Sequence, residues 1–473
     1  MDPHRRRLRV LTLHTSNCPT PPHPTDKQQQ QLLLLLPAAA SSTAAVGSLG
    51  DYADLYLRTS YDLTHMFKVR EAGKLSEAVA TACERIRAGG TILSRIGTPH
   101  LMWGGICDET VPGNPNIAPE RQVGFKGARG GMDRTADIAE LGPGDVLLAA
   151  QPNDEVAAAH ERGVYVIGCG YPMTTNRYSP PNFNDFPDKM IEDLCDVFLY
   201  SWGPKEDGVI TPRLCPELKI LPTSPQIAVT YWSIMAQLAQ DLASPTPRSA
   251  DTDPAATHTY LDTLMARLSA MHGEALGTIH EAGEAMAERV LKGGRIHPWS
   301  GQDWFYIEAA NTAGGIRGNY PLAADPGAAT AHVRLDPAAL TEADIIVLAA
   351  GEATPEAEIE MARQCKERGA LVVGIYPFER EDGISTEELQ TLCDFSIDNH
   401  SGDDAGVLAV DGYDAKIIPT AGMMNNYAHW AVIGAYVQAM EARDVGIHYW
   451  KSNHVPGGQC VPPILARCLP WPC

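Results

Sequence analysis

The sequence predicts an α/β protein built of two doubly wound parallel-sheet domains in tandem. Two observations predict it: a set of motifs that recurs in the same order, and apolar runs of strand length alternating with amphipathic stretches of helix length. The 473 residues suit two or three domains at about 100–200 residues each. The first helix places Leu75, Val79, Ala82 and Ile86 on one face, Gly89-Gly90 ends it, and the β-rich run from Thr91 to Ile96 follows. In the second copy Ile279, Ala282, Met286 and Val290 form the face. Gly293-Gly294 then follows at an offset of 204 residues, with the short run Arg295 to Trp299 after it.

Later motifs pair in the same order. The run Gly144–Ala150 matches Ala343–Ala350, and both are continuously apolar after their Asp, as a strand buried on both faces requires. Glu161–Gly168 matches Glu367–Gly374. Tyr171-Pro172 echoes Tyr376-Pro377, and Cys195-Asp196 echoes Cys393-Asp394. Ile220–Thr223 matches Ile417–Thr420, with Trp232 and Trp430 opening the next helices. The order in each copy is helix, strand, helix, strand, helix, two strands, helix.

Domains are expected at 51–243 and 258–458, joined by a Ser/Pro/Thr-rich linker over 244–257. Leu261, Leu264, Leu268 and Met271 form a further seam, read as packing on the partner domain, on another chain or within its own domain. Residues 1–50 combine an Arg-rich start with Gln, Leu and Ala runs and read as a disordered low-complexity extension rather than an export signal. Residues 459–473 form an irregular Pro- and Cys-containing tail.

Composition narrows the function. Fifty-eight acidic residues against 37 Lys and Arg give a net charge of −21, which disfavours a nucleic-acid partner. No apolar run approaches the roughly 18 residues of a membrane span. Eleven cysteines form no CxxC pair and no zinc-type cluster, so no metal is expected and the thiols read as core residues of a cytoplasmic protein. There is no Walker loop and no GxGxxG after a strand, so no nucleotide cofactor is expected.

The helix–Gly-Gly–strand, Gly-Asp-strand and Glu-Arg-Gly-strand order resembles the SIS (sugar isomerase) domain family over about residues 60–458. Glu308–Gly315 and Ser452–Gly458 resemble that family's Glu…Ala-Gly-Gly and closing Ser-x-Asn-Val-x-Gly-Gly segments. The resemblance implies a sugar or sugar-phosphate ligand, homo-oligomeric assembly and metal-independent aldose–ketose isomerisation. It implies Glu308 as the base, and His429 or, second, His454 as the acid or ring-opener. A non-catalytic sugar-phosphate regulator is the alternative, and a scaffold of inactive SIS folds a third reading.

In parallel sheets ligands bind beyond the carboxyl ends of the strands. Thr98, Ser300, Asn153, Thr354, Thr223, Ser224 and Thr420 fall there, each read either as a helix cap or as a ligand contact. The loops Gln151–Glu155 and Gly351–Pro355 hold few hydroxyls and add carboxylates. One carboxylate about 4 Å from a phosphate oxygen costs about 1–4 kcal/mol. Glu308 reads either as a base of raised pKa or as a solvent-facing helical residue. His429 reads as a titrating group or as a buried structural histidine. At the register of His429 the first copy has Tyr231, and its poorly matching Glu109 suggests a degenerate half.

Overall fold

The computed structural model describes residues 50–95, 135–149, 154–170, 191–204, 208–223, 225–300, 309, 335–350, 355–381, 383–402, 406–413, 416–447 and 449. The first half runs α1 (Tyr52–Arg87), β1 (Ile92–Arg95), α2 (Thr135–Glu140), β2 (Val146–Ala149), α3 (Asp154–Glu161), β3 (Tyr165–Gly170), β4 (Val197–Tyr200) and α4 (Pro225–Ala243). The second runs α5 (Ala255–Leu291), β5 (Ile296–Trp299), β6 (Ile345–Ala349), α6 (Glu356–Glu367), β7 (Leu371–Tyr376), α7 (Glu387–Leu392), β8 (Phe395–Asp398) and α8 (Ala421–Ala442). Each half has one sheet of four parallel strands in sequential order, β1-β2-β3-β4 and β5-β6-β7-β8. Two α/β sheets in tandem therefore stand as expected. The matched runs before the last helices, Ile220 and Ile417, form isolated bridges to Ile210 and Leu408 instead of strands. Positive φ at the next residues, Leu221 and Ile418, turns the chain out of extended geometry.

Helices cover both faces of each sheet. On one face Leu93, Leu147 and Val166 pack with Ile138 of α2 and Val156 of α3. Ile346, Leu348 and Val372 pack likewise with Ala362 of α6 and Leu389 of α7. The alternate residues, Val146, Leu148 and Ile167 in one sheet and Ile345, Val347 and Val373 in the other, join a single core containing α1, α4, α5 and α8. Strands buried on both faces need apolar residues at every position, which is why their runs do not alternate. The Leu261–Met271 seam is buried, and α5 packs on α1 and α4 of the first half as well as on α8. Gly283 permits this crossing, since a Cβ there would lie 2.6 Å from the Cβ of Ala435.

The duplication extends to individual hydrogen bonds. Asp145 accepts from the Thr91 and Gly142 N–H groups at 2.7 and 2.8 Å. Asp344 accepts from Arg295 and Thr341 at 3.0 and 2.8 Å. Asp196 and Asp394 receive the N–H groups of Val166 and Val372. Arg85 and Arg289 each donate to a glycine carbonyl, Gly163 and Gly369, both at 3.1 Å. A Cβ on Gly90 or Gly294 would meet the carbonyl oxygen of Gly144 or Ala343 at 2.0 and 1.7 Å, so both positions require glycine.

The segment expected as a linker is held down at its centre. The Arg248 guanidinium forms a buried pair with Asp241 at 2.8 Å and donates to the Ser76 hydroxyl at 2.5 Å. Cys83, Cys169, Cys365 and Cys393 are free thiols, and burial pushes Cys83 and Cys365 up to about 12. No described helix is long and apolar enough to cross a membrane, and the described residues hold no metal-type cluster of three or more ligands. The extension over 1–49 and the tail over 459–473 lie outside the described residues.

Candidate functional site

At the carboxyl end of the second sheet, polar side chains tie strand ends to the last helix. Asn425, in the second turn of α8, donates from Nδ2 to the Ala350 carbonyl beyond β6 at 2.9 Å. Its Oδ1 accepts from Asn399 Nδ2, just past β8, at 2.6 Å. Asn399 Oδ1 in turn accepts the Ser401 N–H and hydroxyl at 3.0 and 2.8 Å. Asn399 and Ser401 are fully buried, so these bonds satisfy groups that water cannot reach. Between them His400 takes a left-handed φ of 54°, with Nδ1 3.5 Å from Asp398 Oδ2 and Nε2 3.8 Å from Glu274 Oε2.

Thr420 stands at the N-terminus of α8, 1 % exposed, and makes no side-chain capping bond. Its hydroxyl instead accepts from Arg267 Nη1 of α5. Sequence reading missed Arg267, Asn399 and His400. Arg267 left a trace, being a cation at a seam position between Leu264 and Met271, where an apolar residue would normally pack.

The first sheet carries different chemistry at the same end. Glu71 of α1, 1 % exposed, accepts from Trp202 Nε1 at 3.0 Å and from the Tyr200 N–H at 3.4 Å, with Lys74 Nζ at 3.3 Å. Burial raises its carboxyl above the usual range, opposed by Lys74 and these two donors. Trp202, like His400, has a left-handed φ, here 59°. The conformation therefore belongs to the fold of both halves and is no mark of function by itself. Glu71 also left a trace, between Phe67 and Leu75 on the buried face of α1.

Of the residues singled out from sequence, Thr420 joins the second cluster and Ser300, half-buried, directly follows β5 on the same edge. Thr223 is 3 % exposed and its carbonyl accepts the Gln226 N–H in the first half, so it stands apart from them. His429 lies on the same face of α8 as Asn425, one turn deeper, 0 % exposed and edge-on to Trp430 at 4.9 Å. Burial pushes it down to about 3, so it is a neutral imidazole at any ordinary pH. Glu308, His454, Thr98, Asn153, Ser224 and Thr354 lie outside the described residues.

His297 on β5 adds a second buried histidine. It is 3.7 Å from Asp344 and is lowered by burial, against the pull of that carboxylate. Burial alone would raise Asp344, but the Thr341 N–H and hydroxyl, the Arg295 N–H and the His297 ring together hold it low. This pair sits at the amino end of the sheet, away from the strand carboxyl ends, and supports structure.

No protein-family model matches the chain. Over 230 residues it is 24 % identical to a UPF0309 protein of Brucella anthropi, an alignment covering 45 % of this chain and 95 % of that protein. Among solved structures, the C-terminal domain of glucosamine-fructose-6-phosphate aminotransferase from Francisella tularensis aligns at 10 % identity and TM-score 0.42. That alignment covers 83 % of this chain and 97 % of the other. The tagatose-6-phosphate ketose/aldose isomerase from Escherichia coli aligns at 12 % identity and TM-score 0.41, over 83 % and 94 % of the two chains. Superpositions of this closeness add nothing to what the two sheets themselves establish.

Proposed function

We propose that the chain binds a phosphorylated sugar at the carboxyl end of its second sheet and interconverts the aldose and ketose forms. The observation that supports this most is the Ala350–Asn425–Asn399 tie beside Thr420. It holds the ends of β6 and β8 against the head of α8, and so frames the edge where parallel sheets place their ligands. The motif resemblance to SIS domains supports the reaction type. Isomerisation moves a proton between adjacent carbons, so a base must face C1 and C2 and a donor must serve the ring oxygen. In this proposal Glu308 is the base, and His429 or His454 the donor. His429 would act as a neutral donor, and only if the helix layer opens to it. Ser300, Thr420 and Thr354 contact the ligand in the second half, and Thr98, Asn153, Thr223 and Ser224 do so in the first. The proposal extends to a cytoplasmic homo-oligomer that needs no metal, nucleotide cofactor, nucleic acid or membrane.

Deuterium uptake at C2 of a hexose 6-phosphate in D2O, followed by proton NMR, tests the reaction. The parent should exchange, and Glu308→Gln should slow it by about 10²–10⁴. Equal rates for the two would remove Glu308 as the base. A second reading, a non-catalytic sugar-phosphate sensor, draws on the first half, where Ile227 stands at the register of Asn425. A hexose phosphate that raises the Tm yet shows no exchange would favour it.

A further inference from the structure

Asn426, in the second turn of α8, is fully buried, and neither its amide nitrogen nor its amide oxygen has a hydrogen-bond partner among the described residues. A buried amide left this way is costly, because it gives up its bonds to water and gains none in return. The fold does not require it. At the same register of α4 the first half carries Ala228, with Trp232 and Trp430 matched on the two helices. The indole N–H groups of both tryptophans are buried without a partner among the described residues. That orphan donor is therefore common to the two halves, whereas the orphan amide is confined to the second.

Helix geometry puts Asn426 beside the strand ends. It directly follows Asn425, whose side chain ties the ends of β6 and β8 to α8, and is turned from it by about 100°. Gly422, Met423, His429, Trp430 and Ile433 share its side of the helix, at three, four or seven positions away. None of them brings a charge, because burial holds His429 neutral. An amide offers donors on its nitrogen and an acceptor on its oxygen. In a wall without charge it suits a neutral group that both donates and accepts, as an alcohol hydroxyl does, and it offers a phosphate nothing to balance its charge.

We propose that the Asn426 amide is a ligand contact that bonds hydroxyl groups of the sugar, on the inner side of the edge framed by the Ala350–Asn425–Asn399 tie. This rests on the sugar-phosphate reading above and adds which side chain recognises the sugar rather than its phosphate. The unpartnered amide is a cost carried by the ligand-free chain, and binding removes it.

Asn426→Leu keeps the shape of the side chain and deletes its polar atoms. Calorimetric titration of the full chain with fructose 6-phosphate, fructose and inorganic phosphate, together with the Tm of the ligand-free chain, tests the contact. The parent should bind fructose 6-phosphate. The variant should weaken that binding, and any affinity for fructose, by about tenfold or more while leaving any affinity for inorganic phosphate unchanged. Its ligand-free Tm should hold or rise, because a buried group without a partner is gone. If the variant binds fructose 6-phosphate as the parent does, the contact is overturned and the sugar-phosphate reading stands. Equal weakening of fructose 6-phosphate and inorganic phosphate overturns a contact to the sugar. A ligand-free Tm well below the parent's shows that the amide supports the fold, and overturns the contact as well. A parent that binds neither fructose nor its phosphate overturns the contact and the sugar reading together. Should Asn426→Leu fail to fold by circular dichroism, Asn426→Ala, with the residue of the first half, decides by its affinities: a loss confined to the sugars supports the contact, and unchanged binding of fructose 6-phosphate overturns it.

Discussion

Asp145 and Asp344 receive the same pair of backbone N–H bonds in the two halves, whereas Glu71 and Ala275, matched in register on α1 and α5, share no chemistry. The first pair lies at the amino ends of the sheets, where helix, strand and turn must close on one another. Geometry there permits few solutions, so both copies retain the same carboxylate, the same glycine and the same arginine. The second pair lies toward the carboxyl ends, where the fold asks only for a side chain of suitable size. The first half fills that space with Glu71, Trp202, Tyr200 and Lys74 bonded to one another. The second fills it with Asn399, Ser401 and Asn425 bonded to one another and with Arg267 bonded to Thr420. A duplicated fold thus separates constrained from free positions: agreement between copies marks the first kind, and divergence marks where the sequence was free to change.

The comparison is most exposed at its shared end. Asp344→Ala and Asp145→Ala should each lower the unfolding free energy by about 3 kcal/mol, since each deletes a charged acceptor of two backbone N–H groups. Urea unfolding measures both, and unequal losses would show that the amino ends are not equivalent.

Next comes the divergent pair His429 and Tyr231. His429 is held neutral in the fold at about 3, against about 6.5 for an exposed imidazole. The unfolded chain therefore binds an extra proton as pH falls below about 6.5, and stability declines toward acid by about 1.4 kcal/mol per pH unit from this group. Lowered His297 adds to that slope in the same direction. His429→Tyr, which makes the halves alike, should remove one proton's worth of slope between pH 4 and 6, read from unfolding midpoints across pH. An unchanged slope would mean that His429 is reached by water.

The smallest effect is expected at His400. Its pairs with Asp398 and Glu274 are long and partly exposed, and asparagine tolerates the left-handed φ, so His400→Asn should change stability by less than about 1 kcal/mol. Trp202→Asn should cost more, because it strips Glu71 of its indole donor. A larger loss at His400 than at Trp202 would reverse the assignment of roles to the two carboxyl ends.

Much of the fold was legible because it is written in local pattern. Continuous apolar runs gave β2, β3, β6 and β7, and glycine pairs gave the ends of α1 and α5. Pro298, tolerated in β5, is explained by that strand's place at the sheet edge. The candidate site was legible only at Thr420 and Ser300, which fall where strand ends meet helix starts. Asn399 and Asn425 are separated by 26 residues and Ala350 by 75 from Asn425, so no short motif could announce their bonds.

The amino-acid order by itself settled that one α/β unit occurs twice, because helix and strand periodicity depend on neighbours a few positions apart. Only the folded chain decided that four helices from both halves share one core, that His429 is sealed within it, and that Arg267 reaches Thr420 across 153 positions. Those outcomes depend on which surfaces exclude water from one another, and exclusion is a property of packed elements that no single segment carries.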